Sequence, residues 1–431
     1  MTDDSAGRAV GDWTGLALPA TVQALGASDA AWFTQAFRAF GSLSADEEVL
    51  AIARCEPAGG GNSGQKAIVD LVIGSGADRR TESLFVKFSR DLSDPFRDRR
   101  RDELEAEVRL ARLARHPAFP VKVAKAWFAD FEGASGTGLL ISSTIAFGQA
   151  PIEPIRRKCR DSELPDAQRY YEATLRALAR LAAADQTGAL APEIDALFPY
   201  DARSAAADQP FDWPEERLNA AFARLTALLA AAPHLFPAEV RAPSFLAQFQ
   251  QDVRLAVAHE TQLRRFLQAD PRLIALTHWN TNLDNAWFER AEDGGLVAGL
   301  LDWGMVRRMN IAYGIWGGLS AAEPDMLARH TDRLLGVVRA EHAACGAVPI
   351  PRQVLSDHFD LSLALLGTAL LLDAPALLLS RRPDLADLSG SQDPRLAADG
   401  VVEGFLKVFT NMLVLWHHRR IGRTLEGLRD A

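Results

Sequence analysis

The densest concentration of chemically capable side chains lies between residues 276 and 304. The run Leu276-Thr277-His278-Trp279-Asn280-Thr281-Asn282-Leu283-Asp284-Asn285-Ala286-Trp287-Phe288 sets one histidine, three asparagines and one aspartate between apolar flanks. After a turn at Glu292-Asp293-Gly294-Gly295 comes Leu300-Leu301-Asp302-Trp303-Gly304. Burying so many polar groups is costly unless they work together, which points to a site. Asn285 and Asp302 offer two oxygens, a set that suits Mg2+ when it also holds phosphate. Taken alone, the loop fits a solvated Asn/Asp-rich turn equally well.

Three features precede it in the chain. Gly59-Gly60-Gly61-Asn62-Ser63-Gly64 stands just before an apolar run, where glycines let backbone N–H groups approach phosphates. Gln65-Lys66 and a strand follow, so the stretch is not a P-loop, which needs Lys-Ser/Thr and a helix. Lys87 lies inside the strand-like run Leu84–Phe88 and shares a face with Phe85, so it either snorkels or lines a cleft. The helical stretch Asp102–Arg115 carries Glu103, Glu105 and Glu107, one of which is able to pair with Lys87 while the others are solvated.

The elements that must position these groups change character near residue 150. Before it, short β-rich runs occupy 67–73, 84–88, 121–128 and 139–145, broken by Gly/Ser/Asp punctuation, with the helix 102–115 among them. After it, helical periodicity predicts 166–184, 214–231, 243–269, 324–344, 352–372 and 396–421. Residues 187–212 read as loop, and 273–277 with 296–301 as short strands flanking the polar island. The expected fold class is α+β with two lobes: a small antiparallel-sheet lobe with one helix, and a large mainly helical one. The expected division is a helical N-terminal extension (1–48), a β-rich N-lobe (49–150) and a helical C-lobe (151–431).

Composition narrows the classes. The chain has 431 residues, 48% of them apolar and 24% charged, which suits a folded protein with ample core. Lys and Arg number 47 against 56 Asp and Glu, for a net charge of −9, which argues against nucleic acid as a partner. Cys55, Cys159 and Cys345 are widely spaced and form neither a zinc pattern nor a disulfide framework, as fits a reducing, cytoplasmic location. The acidic N-terminus lacks the apolar region of a secretory signal. The longest apolar run, Leu361–Leu372, is shorter than the roughly 20 residues of a membrane span and reads as a buried helix. No membrane partner is expected.

The order of these motifs resembles the aminoglycoside phosphotransferase and choline-kinase-like superfamily, which has the protein-kinase-like fold. The resemblance rests on a Gly-rich loop, a strand Lys, a helix Glu, H-x-[D/N]-x-x-x-x-N and then L-D-W, and spans roughly residues 50–320. Gly138–Gly148 looks like the strand that joins the lobes. The resemblance implies an ATP- and Mg2+-dependent phosphotransferase acting on a small molecule such as an aminoglycoside, choline, a sugar or an amino alcohol. It assigns Gly60, Gly61, Asn62, Ser63, Lys87 and Glu107 to ATP, and Asn285 and Asp302 to the metal. His278, Asn280 and Asp302 fall at the catalytic positions.

The sequence departs from that pattern where a proton acceptor is expected. Asn280 replaces the catalytic aspartate, Trp279 replaces a glycine, and Asn310-Ile311-Ala312-Tyr313-Gly314 lacks two further acids. An amide orients a nucleophile by hydrogen bonding but does not take its proton. Three readings follow: a kinase relying on position and charge, a pseudokinase that binds nucleotide without transfer, and a transferase of another group. Asp284 is a displaced base only if it escapes the usual divergence of adjacent side chains. The basic runs 97–102 and 156–160 read as solvated faces. The four tryptophans at 279, 287, 303 and 316 read as packing beneath the loop.

Overall fold

The computed structural model describes residues 9–428 apart from 60–63, 77, 92, 95–96, 98 and 208–209. In the N-terminal lobe, β1 (Glu48–Pro57), β2 (Lys66–Ser75) and β3 (Asp78–Phe88) form a meander. A short β4 (Lys122–Val123) leads to β5 (Ala126–Glu132) and β6 (Thr137–Ser143). The antiparallel sheet runs β1-β2-β3-β6-β5. Ala67, Val69, Leu71 and Ile73 are all buried along one face of β2, as the strand period requires.

Two helices from the N-terminal segment, α1 (Val22–Gly26) and α2 (Ala30–Phe40), pack into the same core as this sheet. The Asp29 carboxylate caps α2 by accepting from the Trp32 N–H at 2.8 Å. Phe33, Phe37 and Phe40 are buried along one stripe, where Phe33 meets Phe37, Phe37 meets Trp127 and Phe40 meets Phe128 of β5, each ring contributing about 1.5–3 kcal/mol. α2 packs against both outer strands of the sheet, β1 and β5.

α3 (Arg101–Leu113) packs Leu104, Val108, Leu110 and Leu113 inward. Glu107 sits on that same buried stripe.

The helical C-lobe is organised on α4 (Ala167–Gln186), which packs against the helix Pro324–Ala344 and against strands of the polar island. The helix Arg352–Leu366 continues through a wider turn to Leu371. This stretch is long and apolar enough to cross a membrane, yet most of it is packed inside the lobe.

Several expected elements change. β1 escapes the sequence reading because two register shifts, at Val49/Ala51 and Ile52/Arg54, break its alternation. The expected strand 121–128 is split, with 122–123 joining the other lobe and 126–132 pairing with β6. The expected loop 187–212 contains helices Glu193–Leu197 and Ala202–Ala207, too short to display a helical period. The stretch 243–269 breaks at His259 into two helices, and 396–421 breaks at Arg420, whose φ is +53°. Arg97, expected on a solvated face, is buried and donates to Ser135 O and Thr137 Oγ1 at 3.0 Å.

The stretch 273–304 holds three strands rather than two, and a fourth follows it directly. β7 (Ile274–His278) pairs with β10 (Val306–Asn310), and β8 (Ala286–Arg290) pairs with β9 (Leu296–Leu300). β4 runs parallel to β9, with Lys122 opposite Gly299 and Val123 opposite Leu300. A piece of N-lobe sequence thereby completes the C-lobe sheet, and the turn at Trp303–Met305 packs against α3. The junction between the lobes is built from these contacts.

Candidate active site

A cleft of about 540 Å³ lies at that junction. Its walls include Phe85, Ala126, Leu140 and Leu300, and its polar groups include Lys66, Lys87, Glu107, Asp284, Asn285 and Asp302. A concave, mainly apolar pocket with a few converging polar groups is the usual form of a small-molecule site.

Lys87 projects from β3 into the cleft and is buried. Its Nζ donates to both Glu107 oxygens at 2.9 Å and to Asp302 Oδ1 at 2.7 Å. Burial alone would lower the Lys87 pKa, but the two carboxylates outweigh it and raise it, so the ammonium stays charged. Burial pushes the Glu107 carboxyl upward, opposed by Lys87. For Asp302 burial also opposes the charge, but Lys87 prevails and lowers the pKa. Glu103 instead meets Arg100 and Glu105 meets Arg109, so Glu107 is the member of the three that reaches Lys87.

Asp302 has φ +58° and ψ +57°, a left-handed conformation that non-glycine residues rarely adopt. It lies two residues past the end of β9, and this turn aims its carboxylate back toward Lys87. Such conformations persist where surrounding contacts over-determine them, as they do at many functional sites.

His278 ends β7 and is fully buried, with its ring stacked on Trp303 at 4.6 Å. Its Nε2 lies 3.0 Å from the Leu301 carbonyl, which only accepts, so Nε2 carries the proton. Nδ1 is then the acceptor for the Asn280 N–H at 3.4 Å. Burial holds the His278 pKa down to about 4, so the ring is neutral. Both its nitrogens serve backbone, one before Asp302 and one at Asn280.

The Asn280 side-chain oxygen accepts from Asn282 Nδ2 at 3.0 Å, and its backbone oxygen accepts from Asn285 Nδ2 at 2.8 Å. That bond leaves the Asn285 side-chain oxygen for another partner. Asp284 also lines the cleft, and its buried Oδ1 has no hydrogen-bond partner among the described residues. Burial raises its pKa, opposed by the charge of Lys158.

The helix Ile311–Leu319 closes over the loop. Asn310 caps it by accepting from the Ala312 N–H at 2.9 Å, so the segment Asn310–Gly314 begins a helix. A Cβ on Gly317 would lie 1.5 Å from the Trp279 carbonyl oxygen, so only glycine allows this approach. Trp287, Trp303 and Trp316 are buried, as packing requires.

Gly60, Gly61, Asn62 and Ser63 lie outside the described residues. The flanking Gly64 has φ +78°, and a Cβ there would meet Phe88 O at 2.2 Å.

Two cleft residues had no firm place in the sequence reading. Asp284 was weighed only as a displaced base, and Lys66 carried no role. Lys66 stands directly opposite Lys87 in the β2–β3 register.

No protein-family model and no curated protein matches this chain. Among solved structures it is similar to an ethanolamine kinase of Plasmodium vivax, at 11% identity, covering 82% of this chain and 81% of that one, with TM-score 0.41. It is also similar to a choline kinase of Cryptosporidium parvum, at 10% identity over 88% and 90%, with TM-score 0.35. A wild-type aminoglycoside 2'-phosphotransferase in its GDP complex is similar at 14% identity over 84% and 93%, with TM-score 0.34.

Proposed function

We propose that this chain is a phosphotransferase that passes the terminal phosphoryl group of ATP to a small-molecule acceptor. The observation that carries this reading is Lys87, held between Glu107 and Asp302 at 2.7–2.9 Å in a cleft shared with Asn285. A lysine so fixed is a preset cation for phosphate oxygens, and Glu107 is what aims it.

The residues fit Mg2+. Among the described residues no three His, Cys, Asp or Glu side chains gather into a closed metal cage. Mg2+ needs none, because it takes one or two protein oxygens together with substrate phosphates and water. Asn285 and Asp302 would hold it, and the ion would neutralise charge on the phosphates. The orphaned Asp284 oxygen nearby adds to the negative field that favours a cation.

Phosphoryl transfer depends mainly on position and charge. An acceptor oxygen bonds to the terminal phosphorus as the bridging P–O bond breaks and ADP departs. With an amide at 280, the proton of a hydroxyl acceptor passes to solvent. An acceptor already ionised, a carboxylate or phosphate, needs no base. His278, neutral and bonded to backbone through both nitrogens, positions the loop and the turn before Asp302.

The test is an ATP-turnover screen over small hydroxyl and carboxyl compounds, with Mg2+ and the Asp302→Ala variant in parallel. Acceptor-dependent ADP release that Asp302→Ala abolishes is expected. No stabilisation of the wild type by millimolar Mg-ATP would sink the reading. A second reading, nucleotide binding without transfer, is favoured by the Asn280 side chain being tied to Asn282. It predicts Mg-ATP binding with no turnover on any acceptor.

A further inference from the structure

Lys66 is the unexplained cation of the cleft. It is 8% exposed, and its Nζ has no hydrogen-bond partner among the described residues. The β2–β3 register sets it opposite Lys87, and side chains directly opposite on antiparallel strands share a face. Two ammonium groups on one face repel each other, and an unpaired buried charge destabilises a fold. Lys87 answers this with two carboxylates, whereas Lys66 makes no such contact. Burial and the Lys87 charge lower the Lys66 pKa, outweighing the opposite pull of Asp302 and Glu107, with which Lys66 makes no direct contact. The arrangement is a local fault in the empty protein. It becomes an asset when an anion enters.

We infer that Lys66 is a second phosphate-binding cation, which meets the polyphosphate chain of the nucleotide beside Lys87. This rests on the nucleotide reading above for the identity of the ligand, but not for the presence of an anion site. Lys87 is already shared between Glu107 and Asp302, so its charge is largely answered before any ligand arrives. Lys66 supplies the charge that is not. Its strand follows shortly after the glycine-rich stretch, and Gly59, the first residue of that stretch, lines the same cleft. A polyphosphate there would be bracketed by the two lysines.

The signature is a pair of effects of opposite sign. Lys66→Met removes an unpaired buried charge while keeping the apolar stem, so the ligand-free variant melts higher than wild type by about 1–2 °C. The same change removes a charge-assisted hydrogen bond to phosphate, so affinity for ATP and for inorganic tripolyphosphate falls about 10-fold or more. Lys66→Arg retains most of the affinity, and Lys66→Gln repeats the loss with a polar side chain of similar reach.

Melting and calorimetric titration of these variants with tripolyphosphate, ATP and adenosine decide it. Loss of tripolyphosphate and ATP affinity with adenosine binding unchanged supports the inference. Tripolyphosphate binding that depends on Lys66, with ATP binding no better than tripolyphosphate, keeps the anion site and removes the nucleotide reading. Affinities for tripolyphosphate within twofold of wild type in both Lys66→Met and Lys66→Gln overturn the inference. So does a ligand-free Lys66→Met that melts below wild type, or a wild type that tripolyphosphate does not stabilise.

Discussion

Lys87 Nζ and Asp302 Oδ1 are 215 residues apart in sequence and 2.7 Å apart in space. The pair ties the N-lobe sheet to the turn after β9. It also engages one oxygen of the carboxylate proposed to hold Mg2+, so the ion and Lys87 compete for its charge. Nucleotide phosphates relieve that competition by giving Lys87 other acceptors.

Asp302→Asn should therefore separate stability from ligand binding. Lys87 keeps both Glu107 oxygens, and the Asp302 side chain is 44% exposed, so the loss of stability should be about 1 kcal/mol. Mg2+-dependent ATP binding should vanish. Titration of ATP with and without Mg2+ checks this, and an unchanged Mg2+ dependence would remove Asp302 from the metal.

Glu107→Gln should behave differently. Glu107 is buried and holds Lys87 through both oxygens. Breaking a buried pair from one side typically costs about 3–5 kcal/mol. Denaturant unfolding should show a loss of about 3 kcal/mol, with Asp302 retaining part of the Lys87 charge. A loss below about 1 kcal/mol would mean that the pair is not formed in solution.

Asn280→Asp restores a proton acceptor at the start of the loop. For a hydroxyl acceptor, turnover should rise by about 10²-fold, the lower end of what a positioned base contributes. For an already ionised acceptor it should not rise. Comparing the two acceptor classes on wild type and variant gives the answer in one experiment.

Gly317→Ala and Gly336→Ala form a contrasting pair. The first puts a methyl into the Trp279 carbonyl, whereas the second faces open space within the helix Pro324–Ala344. Gly317→Ala should destabilise by about 1–3 kcal/mol and displace the loop, lowering turnover. Gly336→Ala should stabilise by about 0.5–1 kcal/mol with no effect on turnover. Equal effects of the two on turnover would contradict the close packing of this helix on the loop.

His358 should make the C-lobe acid-sensitive. It is buried, and its Nδ1 lies 2.8 Å from Asn310 Nδ2, a donor, so Nδ1 is the unprotonated acceptor. Burial holds its pKa down to about 4, although Asp270 works the other way. Between the ordinary value near 6.5 and about 4 the unfolded chain binds the extra proton and the folded chain does not. Stability is therefore full above about pH 6.5 and falls as pH drops toward 4, by up to about 3 kcal/mol from this group. His358→Leu should flatten that part of the pH–stability curve, and an unaltered slope would show that the ring is already protonated when folded.

The sequence by itself determined the local elements and the order of the chemical groups. Apolar periodicity located α3, α4 and most strand centres, because period is a property of neighbouring residues. The oxygen-bearing side chains of Asn285 and Asp302 were legible as a pair, and the resemblance added His278. Partner choice was beyond it. Residues 121–128 form one apolar run, yet 122–123 pair with β9 and 126–132 with β6, since the same hydrophobicity satisfies either sheet. Glu103, Glu105 and Glu107 look alike in sequence, and only the way α3 packs turns Glu107 inward. Lys66 was within reach of the sequence: counting back equally from the turn between Ser75 and Asp78 brings it opposite Lys87. What the count does not give is its burial with no hydrogen-bond partner among the described residues. That depends on elements far along the chain closing over the sheet, and burial is what turns a lysine on a strand into a charge in search of a partner.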